Sequence, residues 1–170
     1  MNKVATFEKV SFEQFRENFI KYTYGTTSER CMKDMYDSIK LPTRGSKGSA
    51  GHDIVTPFRI SLAPQEQAMI PTGIRCKMNK DYVMFIYPRS SLGIKQGCVL
   101  SNTTPVIDSD YYNAENEGHI FISIKNSNKD EMLRIEAGDK FVQAVFVPFG
   151  VADEEEVTTE RTGGIGSTGK

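Results

Sequence analysis

The spacing of apolar and polar residues follows a helical period through the first forty positions. One apolar face recurs three and four residues apart, at Phe12, Phe15, Phe19 and Ile20. After a break at residues 25–27, a second amphipathic segment carries Met32, Met35, Tyr36 and Ile39. Ser11, followed three residues later by Gln14, is typical of a capping box at a helix start. The pattern predicts two helices before residue 40, and residues 37–41 fit a first strand equally well.

From residue 41 to residue 151 the apolar residues fall into short runs separated by glycine, proline, asparagine and aspartate. These runs predict strands at 58–62, 68–70, 74–78, 82–87, 120–124, 132–135 and 141–147. Many short strands with frequent turns are typical of an all-β sandwich or barrel. We therefore expect a helical extension over residues 1–40 and a β domain over residues 41–152.

The last segment, residues 153–170, begins with an acidic run and ends in a glycine-rich tail, Gly-Gly-Ile-Gly-Ser-Thr-Gly-Lys. With almost nothing apolar to bury, such a tail cannot offset the entropy of ordering, so the sequence predicts a flexible arm. Glycine leaves successive backbone N–H groups accessible, and these suit phosphate oxygens when hydroxyls and a cation lie beside them. A frayed terminus is the alternative interpretation.

Composition limits the class of protein. At 170 residues, with 21 basic and 22 acidic side chains, the chain is most simply one domain without the positive surplus of a nucleic-acid binder. No apolar run reaches the ~18 residues that a membrane helix needs. The three cysteines, Cys31, Cys76 and Cys98, match neither a metal site nor a disulfide framework. We expect reduced thiols in a cytoplasmic protein.

Five short segments carry candidate chemistry. They are residues 50–53 (Ala-Gly-His-Asp), 88–93 (Pro-Arg-Ser-Ser-Leu-Gly), 106–111 (Val-Ile-Asp-Ser-Asp-Tyr), 138–143 (Gly-Asp-Lys-Phe-Val-Gln) and the glycine tail. In this order they resemble the five motifs of the trimeric dUTPases, over about residues 41–170. The resemblance implies a distorted jelly-roll β-barrel and an enzyme that hydrolyses dUTP to dUMP and pyrophosphate, which lowers dUTP and supplies dUMP for dTTP synthesis. It also implies a homotrimer in which the arm of one chain closes over the nucleotide of a neighbour.

The second motif has the chemistry of an anion cradle. Arg89 follows a hydrophobic strand, and its planar N–H donors, with the hydroxyls of Ser90 and Ser91, suit phosphate oxygens. An ordinary surface turn is the alternative. By the resemblance, Ser90 contacts the region between the α- and β-phosphates and Arg89 braces the motif against Asp53. The resemblance gives Gln143 a phosphate contact beside Ser90, whereas its position within a strand also fits plain solvent exposure.

Asp108 is the candidate catalyst. It follows the apolar pair Val106 and Ile107 and precedes a turn, which holds its carboxylate at a strand end. A positioned carboxylate that accepts a proton from water contributes ~10²–10⁴-fold to a rate. By the resemblance, Asp108 orients the water that attacks the α-phosphorus. The alternative is that Asp108 and Asp110 only cap a tight turn.

The resemblance also assigns nucleoside and lid residues. Asn102 would pair with the edge of uracil, since an amide offers both a donor and an acceptor, and Tyr111 would lie against the sugar and exclude a 2′-hydroxyl. Taken alone, an asparagine in a turn and a tyrosine in a Tyr-Tyr pair are ordinary structure. The arm would close over the nucleotide through Arg161, Ile165, Gly166, Ser167 and Thr168. Mg²⁺ is implied as well, carried chiefly by the triphosphate without direct protein ligands.

The chain departs from the family pattern at four places. His52 stands where a tyrosine is usual, Pro105 where a glycine is common, and Ile165 where a phenylalanine stacks on the base. Residues 113–117 lengthen a normally short turn, and we expect this polar insertion to loop out near the mouth of the site. His52 and His119 share no metal-ligand spacing, so both are predicted to be structural.

Two other functions compete with dUTP hydrolysis. The related dCTP deaminases need a glutamate at the position of Ser123 and an arginine shortly after Leu92, and both are missing here. The other alternative is a dUTPase-like regulator that acts by binding a protein through residues 1–40. These helices would cover the core, extend the trimer contacts or recruit a partner.

Overall fold

The computed structural model describes residues 2–23, 27–153 and 163. In chain order its elements are β1 (Ala5–Lys9), α1 (Phe12–Thr23), α2 (Glu29–Ser38), β2 (Thr43–Arg44), β3 (His52–Val55), β4 (Ile60–Leu62), β5 (Gln67–Pro71), β6 (Ile74–Met78), β7 (Tyr82–Pro88), α3 (Ser90–Gln96), β8 (Cys98–Leu100), β9 (Val106–Ile107), a 3-10 helix (Ser109–Asn113), β10 (Phe121–Asn126), β11 (Leu133–Ile135) and β12 (Lys140–Pro148). Strands dominate, which confirms the all-β prediction. Within the described ranges, no helix is long and apolar enough to cross a membrane.

A five-stranded antiparallel sheet with the order β2-β3-β12-β7-β9 organises the fold. Its long central strand, β12, pairs with β3 on one side and β7 on the other. A second sheet has the order β5-β10-β8, and β1–β6 and β11–β4 form two-stranded ribbons. The core between them is fully buried at residues such as Ile54, Met84, Ile122, Ile124 and Phe141.

Every predicted run overlaps an observed strand, and β9 matches the strand end expected before Asp108, but four short strands were missed. Those four are β1, β2, β3 and β8. They are two to five residues long, too short for alternation to be distinguished from a loop. Pairing with a neighbouring strand, and not local pattern alone, determines them.

The N-terminal segment contains both predicted helices and one strand that was predicted as helix. α2 continues to Ser38, so residues 37–41 do not begin a strand. The proposed capping box is only half formed: Ser11 Oγ accepts the Gln14 N–H at 3.1 Å, while the Gln14 side chain donates to Asn18 Oδ1 at 2.8 Å. Residues Ala5–Lys9 instead form β1, because the free edge of β6 offers them a complete antiparallel register.

The two helices cover the core. Val10, Phe15, Phe19, Met32 and Ile39 are each at most 5% exposed and belong to the same apolar cluster as the β-sheet residues. Burying one such side chain stabilises a fold by about 1.5–3 kcal/mol. Covering the core, one of the three uses left open for this segment, is therefore confirmed.

The insertion at residues 113–117 does not loop out, and that prediction was wrong. Glu117 turns towards α1, where its carboxylate accepts the Ser11 backbone N–H at 2.7 Å and the Ser11 hydroxyl at 2.6 Å. A carboxylate at a helix N-terminus is stabilised by the unpaired N–H groups and by the helix dipole. The insertion and the N-terminal segment thus form one unit, since each satisfies polar groups of the other.

Candidate active site

A polar cleft of about 170 Å³ lies where β3, β12 and the end of β7 meet. It is lined by Gly45, Ser49, Gly51, Asp53, Arg89, Ser90 and Gln143. The sheet register brings these residues together, because Gln143 on β12 pairs with Asp53 on β3 and with Tyr87 on β7. Three of the sequence motifs therefore meet in one cleft.

Asp53 is the bracing group of this cleft. Arg89 Nη1 donates to Asp53 Oδ1, and Lys140 Nζ donates to Oδ2 at 2.9 Å. Burial to 9% exposure alone would raise the pKa of Asp53, but the hydrogen bonds and charges of Lys140 and Arg89 outweigh it and hold the pKa below its ordinary value. With both oxygens occupied, Asp53 fixes two cations and is not available as a base.

Lys140 was missed as a site residue from the sequence. It lies in the quoted motif at residues 138–143, but a lysine at the start of a strand reads as an ordinary exposed cation. Its contact with Asp53 becomes visible only when β12 pairs with β3. The position of Lys140 directly after the turn at Gly138 and Asp139 was the available signal.

Gln143 projects to Gly51 across the cleft. A Cβ atom on Gly51 would lie 2.2 Å from Gln143 Oε1, so only glycine permits this approach. Gln143 Nε2 contacts the Pro88 carbonyl at the long distance of 3.5 Å, which leaves the amide weakly held. Ser90 and Ser91 are exposed at the start of α3, with Ser90 on the cleft.

Asp108 lies at a strand end, as predicted. It follows β9 and directly precedes the 3-10 helix, where its carbonyl accepts the Tyr111 N–H at 3.2 Å. The Asp108 side chain is exposed and makes no capping hydrogen bond to that helix, all of whose residues are described. The alternative interpretation, in which Asp108 only caps the turn, therefore lacks the hydrogen bond that it requires.

The cleft and the Asp108 turn lie at opposite ends of β7. Ile107 pairs with Met84, and Arg89 is five residues farther along this extended strand. At ~3.3 Å per residue this separates them by about 17 Å, with Asp108 beyond Ile107 on the far side. Adjacent phosphates of one nucleotide cannot span that gap.

The two nucleoside candidates lie on either side of β9 in the chain, Asn102 before it and Tyr111 after Asp108. Tyr111 is 6% exposed, and its hydroxyl donates to the His119 carbonyl at 2.7 Å and accepts from Asn116 Nδ2 at 2.8 Å. Asn102 is exposed in a turn whose next residue, Thr103, has a φ of 62°. This left-handed conformation is rare for a β-branched residue and marks a constrained turn.

Comparison with known proteins identifies the family. The family model described as dUTPase matches residues 37–169. The deoxyuridine 5'-triphosphate nucleotidohydrolase of Lactococcus lactis subsp. lactis is 47% identical over 134 residues, which is 77% of this chain and 89% of the relative. The chain belongs to the dUTPase family.

Solved structures agree with this membership. The dUTPase crystal structure from Streptococcus mutans has a TM-score of 0.65 and 34% identity, covering 86% of this chain and 98% of its own. An Asp-to-Asn mutant of the dUTPase from phage phi11 of S. aureus also has a TM-score of 0.65, at 22% identity, over 92% of this chain and 98% of its own. The second similarity concerns the fold alone. Together the neighbours indicate the jelly-roll-like β fold that the dUTPase resemblance implied.

The dUTPase arm candidates, Arg161, Ile165, Gly166, Ser167 and Thr168, lie outside the described residues. Their contacts with nucleotide stay predictions, as does the flexible-arm interpretation of residues 153–170.

His119 is a structural histidine of this dUTPase core. It is fully buried, its Nε2 accepts the Gly73 N–H at 2.8 Å, and Nδ1 donates to Asn18 Oδ1 at 2.8 Å. Burial lowers the pKa of His119 to about 3, so the ring stays neutral and ties α1 to the β core. Both ring nitrogens are thus committed to structure.

His52 on β3 packs between two aromatic rings, one on β1 and one on β12. Its ring centroid lies 5.7 Å from that of Phe7 and 5.4 Å from that of Phe146. Burial, the largest cause, lowers the pKa of His52. The residue that replaces the usual dUTPase tyrosine therefore retains an aromatic packing role, and its partner Phe7 belongs to the N-terminal strand β1.

The two buried cysteines do not supply a nucleophile. Burial raises the pKa of Cys76 to about 12 and that of Cys98 to about 11, so both stay as thiols. Cys31 is exposed, and none of the three forms a disulfide in the described part of the chain.

Proposed function

We propose that this protein is a dUTP diphosphatase that hydrolyses dUTP to dUMP and pyrophosphate. The observation that carries the proposal is the cleft in which Asp53, Arg89, Ser90 and Gln143 converge, in a chain of the dUTPase family. The Lactococcus lactis relative is itself named as a deoxyuridine triphosphate nucleotidohydrolase.

The cleft binds the triphosphate. Arg89 and Lys140 bring two positive charges against the single charge of Asp53, which leaves a local positive surplus for an anion. Ser90 and Ser91 donate to phosphate oxygens at the start of α3, with Ser90 at the bond that breaks. Gln143 supplies an amide donor beside them. Because Asp53 holds Arg89 before substrate arrives, little reorganisation accompanies binding.

Asp108 accepts a proton from the attacking water. Its carboxylate is exposed to solvent and rests on a turn fixed by β9 and the 3-10 helix. A base of this kind must lie within hydrogen-bond reach of the water, in line with the α-phosphorus and the leaving pyrophosphate. Asn102 pairs with uracil and Tyr111 lies beside the deoxyribose, where its anchored ring leaves no space for a 2′-hydroxyl.

The complete site forms between chains of a homotrimer. Arg89 and Met84, the partner of Ile107, are separated by about 17 Å along β7, and this separation supports the arrangement. Asp108 of one chain meets the phosphate cleft of another, and the arm of a third closes over the nucleotide through Arg161 and residues 165–168. Closure of such an arm excludes bulk water from the reaction.

Mg²⁺ enters with the triphosphate. Within the described residues no group of three or more His, Cys, Asp or Glu side chains is placed to hold a metal ion, and Asp53 is occupied by its two cations. This donor set suits an ion that stays on phosphate oxygens and keeps several waters. The bound ion would neutralise phosphate charge. The phi11 phage dUTPase has been described with a structural Mg(II) ion.

The test is pyrophosphate release from dUTP, dCTP, dTTP and UTP with Mg²⁺, with an Asp108→Asn variant run in parallel. We expect release from dUTP alone and a loss of at least ~10²-fold in the variant, because the positioned base is gone. Nucleotide binding should persist. Asp130→Asn, an exposed carboxylate change in another loop, serves as the control and should retain full turnover.

Absence of release from every nucleotide would overturn the proposal. Full turnover in Asp108→Asn would leave the activity but remove Asp108 as its base. The alternative is a regulator that binds a partner through residues 1–40; these helices pack on the core, and activity from every nucleotide pool must be absent before that alternative is preferred. A cytoplasmic location remains part of the proposal, consistent with the unpaired cysteines.

A further inference from the structure

Strand β1 places a carboxylate against the catalytic turn, by which we mean Asp108 and the 3-10 helix Ser109–Asn113. Glu8 on β1 lies opposite Arg75 on β6 in the antiparallel register. The Tyr112 hydroxyl donates to Glu8 Oε2 at 2.8 Å, and Arg75 Nη2 donates to the Tyr112 carbonyl at 2.9 Å. The Arg75 guanidinium also lies 3.7 Å from the centroid of the Tyr112 ring. Tyr112 is therefore held by its ring, its hydroxyl and its backbone.

Tyr112 is part of the element that carries Asp108. The 3-10 helix Ser109–Asn113 begins directly after Asp108, and Tyr112 lies four residues farther on. The Tyr111 N–H donates to the Asp108 carbonyl and so ties Asp108 to the residue directly before Tyr112. A shift of Tyr112 therefore moves the backbone from which the Asp108 carboxylate projects.

We propose that Glu8 is a positioning residue for dUTP hydrolysis, which holds Tyr112 and thereby fixes the orientation of Asp108. The inference rests on the proposed function and deepens it. β1 precedes residue 37, where the match to the dUTPase family begins. The catalytic turn thus receives one of its supports from a segment that this match does not include.

The geometry predicts an effect on turnover more than on binding. Neither Glu8 nor Tyr112 lines the phosphate cleft, so their loss leaves the triphosphate contacts intact. A misplacement of 1 Å at a reacting group costs ~10²-fold in rate. Loss of one support out of three at Tyr112 should cost less, and we expect kcat to fall about tenfold.

Four variants test this inference: Glu8→Ala, Glu8→Gln, Tyr112→Phe and the double variant Glu8→Ala with Tyr112→Phe. Each is assayed for kcat and KM with Mg-dUTP and for the Kd of the imido analogue dUpNHpp. We expect Glu8→Ala and Tyr112→Phe each to lower kcat about tenfold with Kd changed less than about twofold. Glu8→Gln keeps an acceptor oxygen and should retain most of kcat.

The double variant separates positioning from general stability. If Glu8 acts through the Tyr112 hydroxyl, the double variant should have the kcat of the single ones, because both remove the same hydrogen bond. Glu13→Ala removes an exposed carboxylate from the same N-terminal segment and should leave kcat unchanged. If Glu8→Ala fails to fold, Tyr112→Phe removes only the hydroxyl and gives the same answer.

Two results would overturn the inference. The first is an unchanged kcat in both Glu8→Ala and Tyr112→Phe. The second is a rise of about tenfold in the Kd of dUpNHpp in these variants without a fall in kcat. A wild-type protein that releases no pyrophosphate would instead refute the proposed function. The two failures are therefore distinguishable in one set of assays.

Discussion

The phosphate cleft and the catalytic turn are stabilised by different interactions. In the cleft, opposite charges meet: Asp53 holds Arg89 and Lys140, all within the family-matched part of the chain. Around the turn, Tyr111 and Tyr112 are held by hydrogen bonds and ring contacts, some of which come from the N-terminal segment. The cleft is thus braced by its own strands, whereas the turn depends on an added segment. Changes in charge and changes in packing should therefore damage different steps.

The largest effect is expected from mixing chains that are damaged in different parts. Asp108→Asn and Arg89→Ala homo-oligomers should both be nearly inactive, because each lacks one half of every site. Refolded together in equal amounts, they should recover about a quarter of wild-type turnover, since random mixing unites an intact turn with an intact cleft in about one site of four. Pyrophosphate release before and after mixing measures this recovery.

Asp108→Asn refolded alone in the same way is the control and should stay inactive. If the two different variants also show no recovery while their chains demonstrably exchange, cleft and turn do not meet between subunits, and the separation along β7 needs another explanation.

Asp53→Asn should show how much the bracing of the cleft contributes to the stability of the fold. Loss of the carboxylate removes charged hydrogen bonds to Arg89 and Lys140, which should cost about 1–2 kcal/mol of unfolding free energy after allowance for the exposure of Lys140. Because the pKa of Asp53 is lowered from 3.8, this stabilisation is present above that pH and is lost as the pH falls below it. Urea unfolding at pH 7 and pH 3 measures the difference.

The exposed pair Arg59–Glu136, 3.3 Å apart with both side chains more than half exposed, provides the matched control. Glu136→Gln should change the unfolding free energy by less than about 0.5 kcal/mol. Equal losses in Asp53→Asn and Glu136→Gln would mean that the cleft has no special bracing.

Acid should loosen the N-terminal segment through His119. The pKa of this buried ring is lowered to about 3, so the unfolded chain binds a proton below pH 6.5 while the folded chain does not. Stability should then fall by about 1.4 kcal/mol per pH unit from pH 6.5 towards pH 3. Urea midpoints across this range measure the slope.

His119→Gln should remove most of that slope, whereas His52→Gln should leave most of it, because the ring of His52 is only half-buried. Where His119→Gln does not fold, NMR of the wild-type imidazole gives the same information. A ring that titrates near pH 6.5 would contradict the assignment.

Gly51→Ala should have the smallest effect and should affect the cleft alone. The new methyl group would meet the end of the Gln143 side chain, which can swing away at little cost to stability. Loss of one amide contact with phosphate should raise KM about 3–10-fold, with the melting temperature nearly unchanged. Gly48→Ala lies in the same loop with no atom near its Cβ position and should match wild type.

The sequence allowed the cleft to be anticipated better than its supports. The family resemblance paired Arg89 with Asp53 in advance, and the strand ends before Arg89 and Asp108 were readable from apolar runs. Lys140 and Glu8 were not recognised, because an isolated charge in a short strand resembles any solvated side chain. Their partners are 87 and 104 residues away in the chain, a separation that local patterns do not encode.

The insertion at residues 113–117 also shows that local sequence does not predict long-range contacts. Its polar, acidic composition at residues 113–117 is typical of an exposed loop, yet Glu117 finds the N-terminus of α1 106 residues away. The half-formed capping box had the same cause, since the place reserved for Gln14 at the Ser11 N–H is taken by Glu117. Local rules identified the vacant N–H group but not the side chain that fills it.

The bond between Ser11 and Glu117 has a consequence for chimaeric proteins. A designer who grafts α1 onto another member of the family without this turn leaves the Ser11 amide short of an acceptor, and one who grafts only the turn adds an unneutralised acid. The leading segment and the lengthened turn are interchangeable between scaffolds only as a matched set, although almost the whole core separates them in the gene.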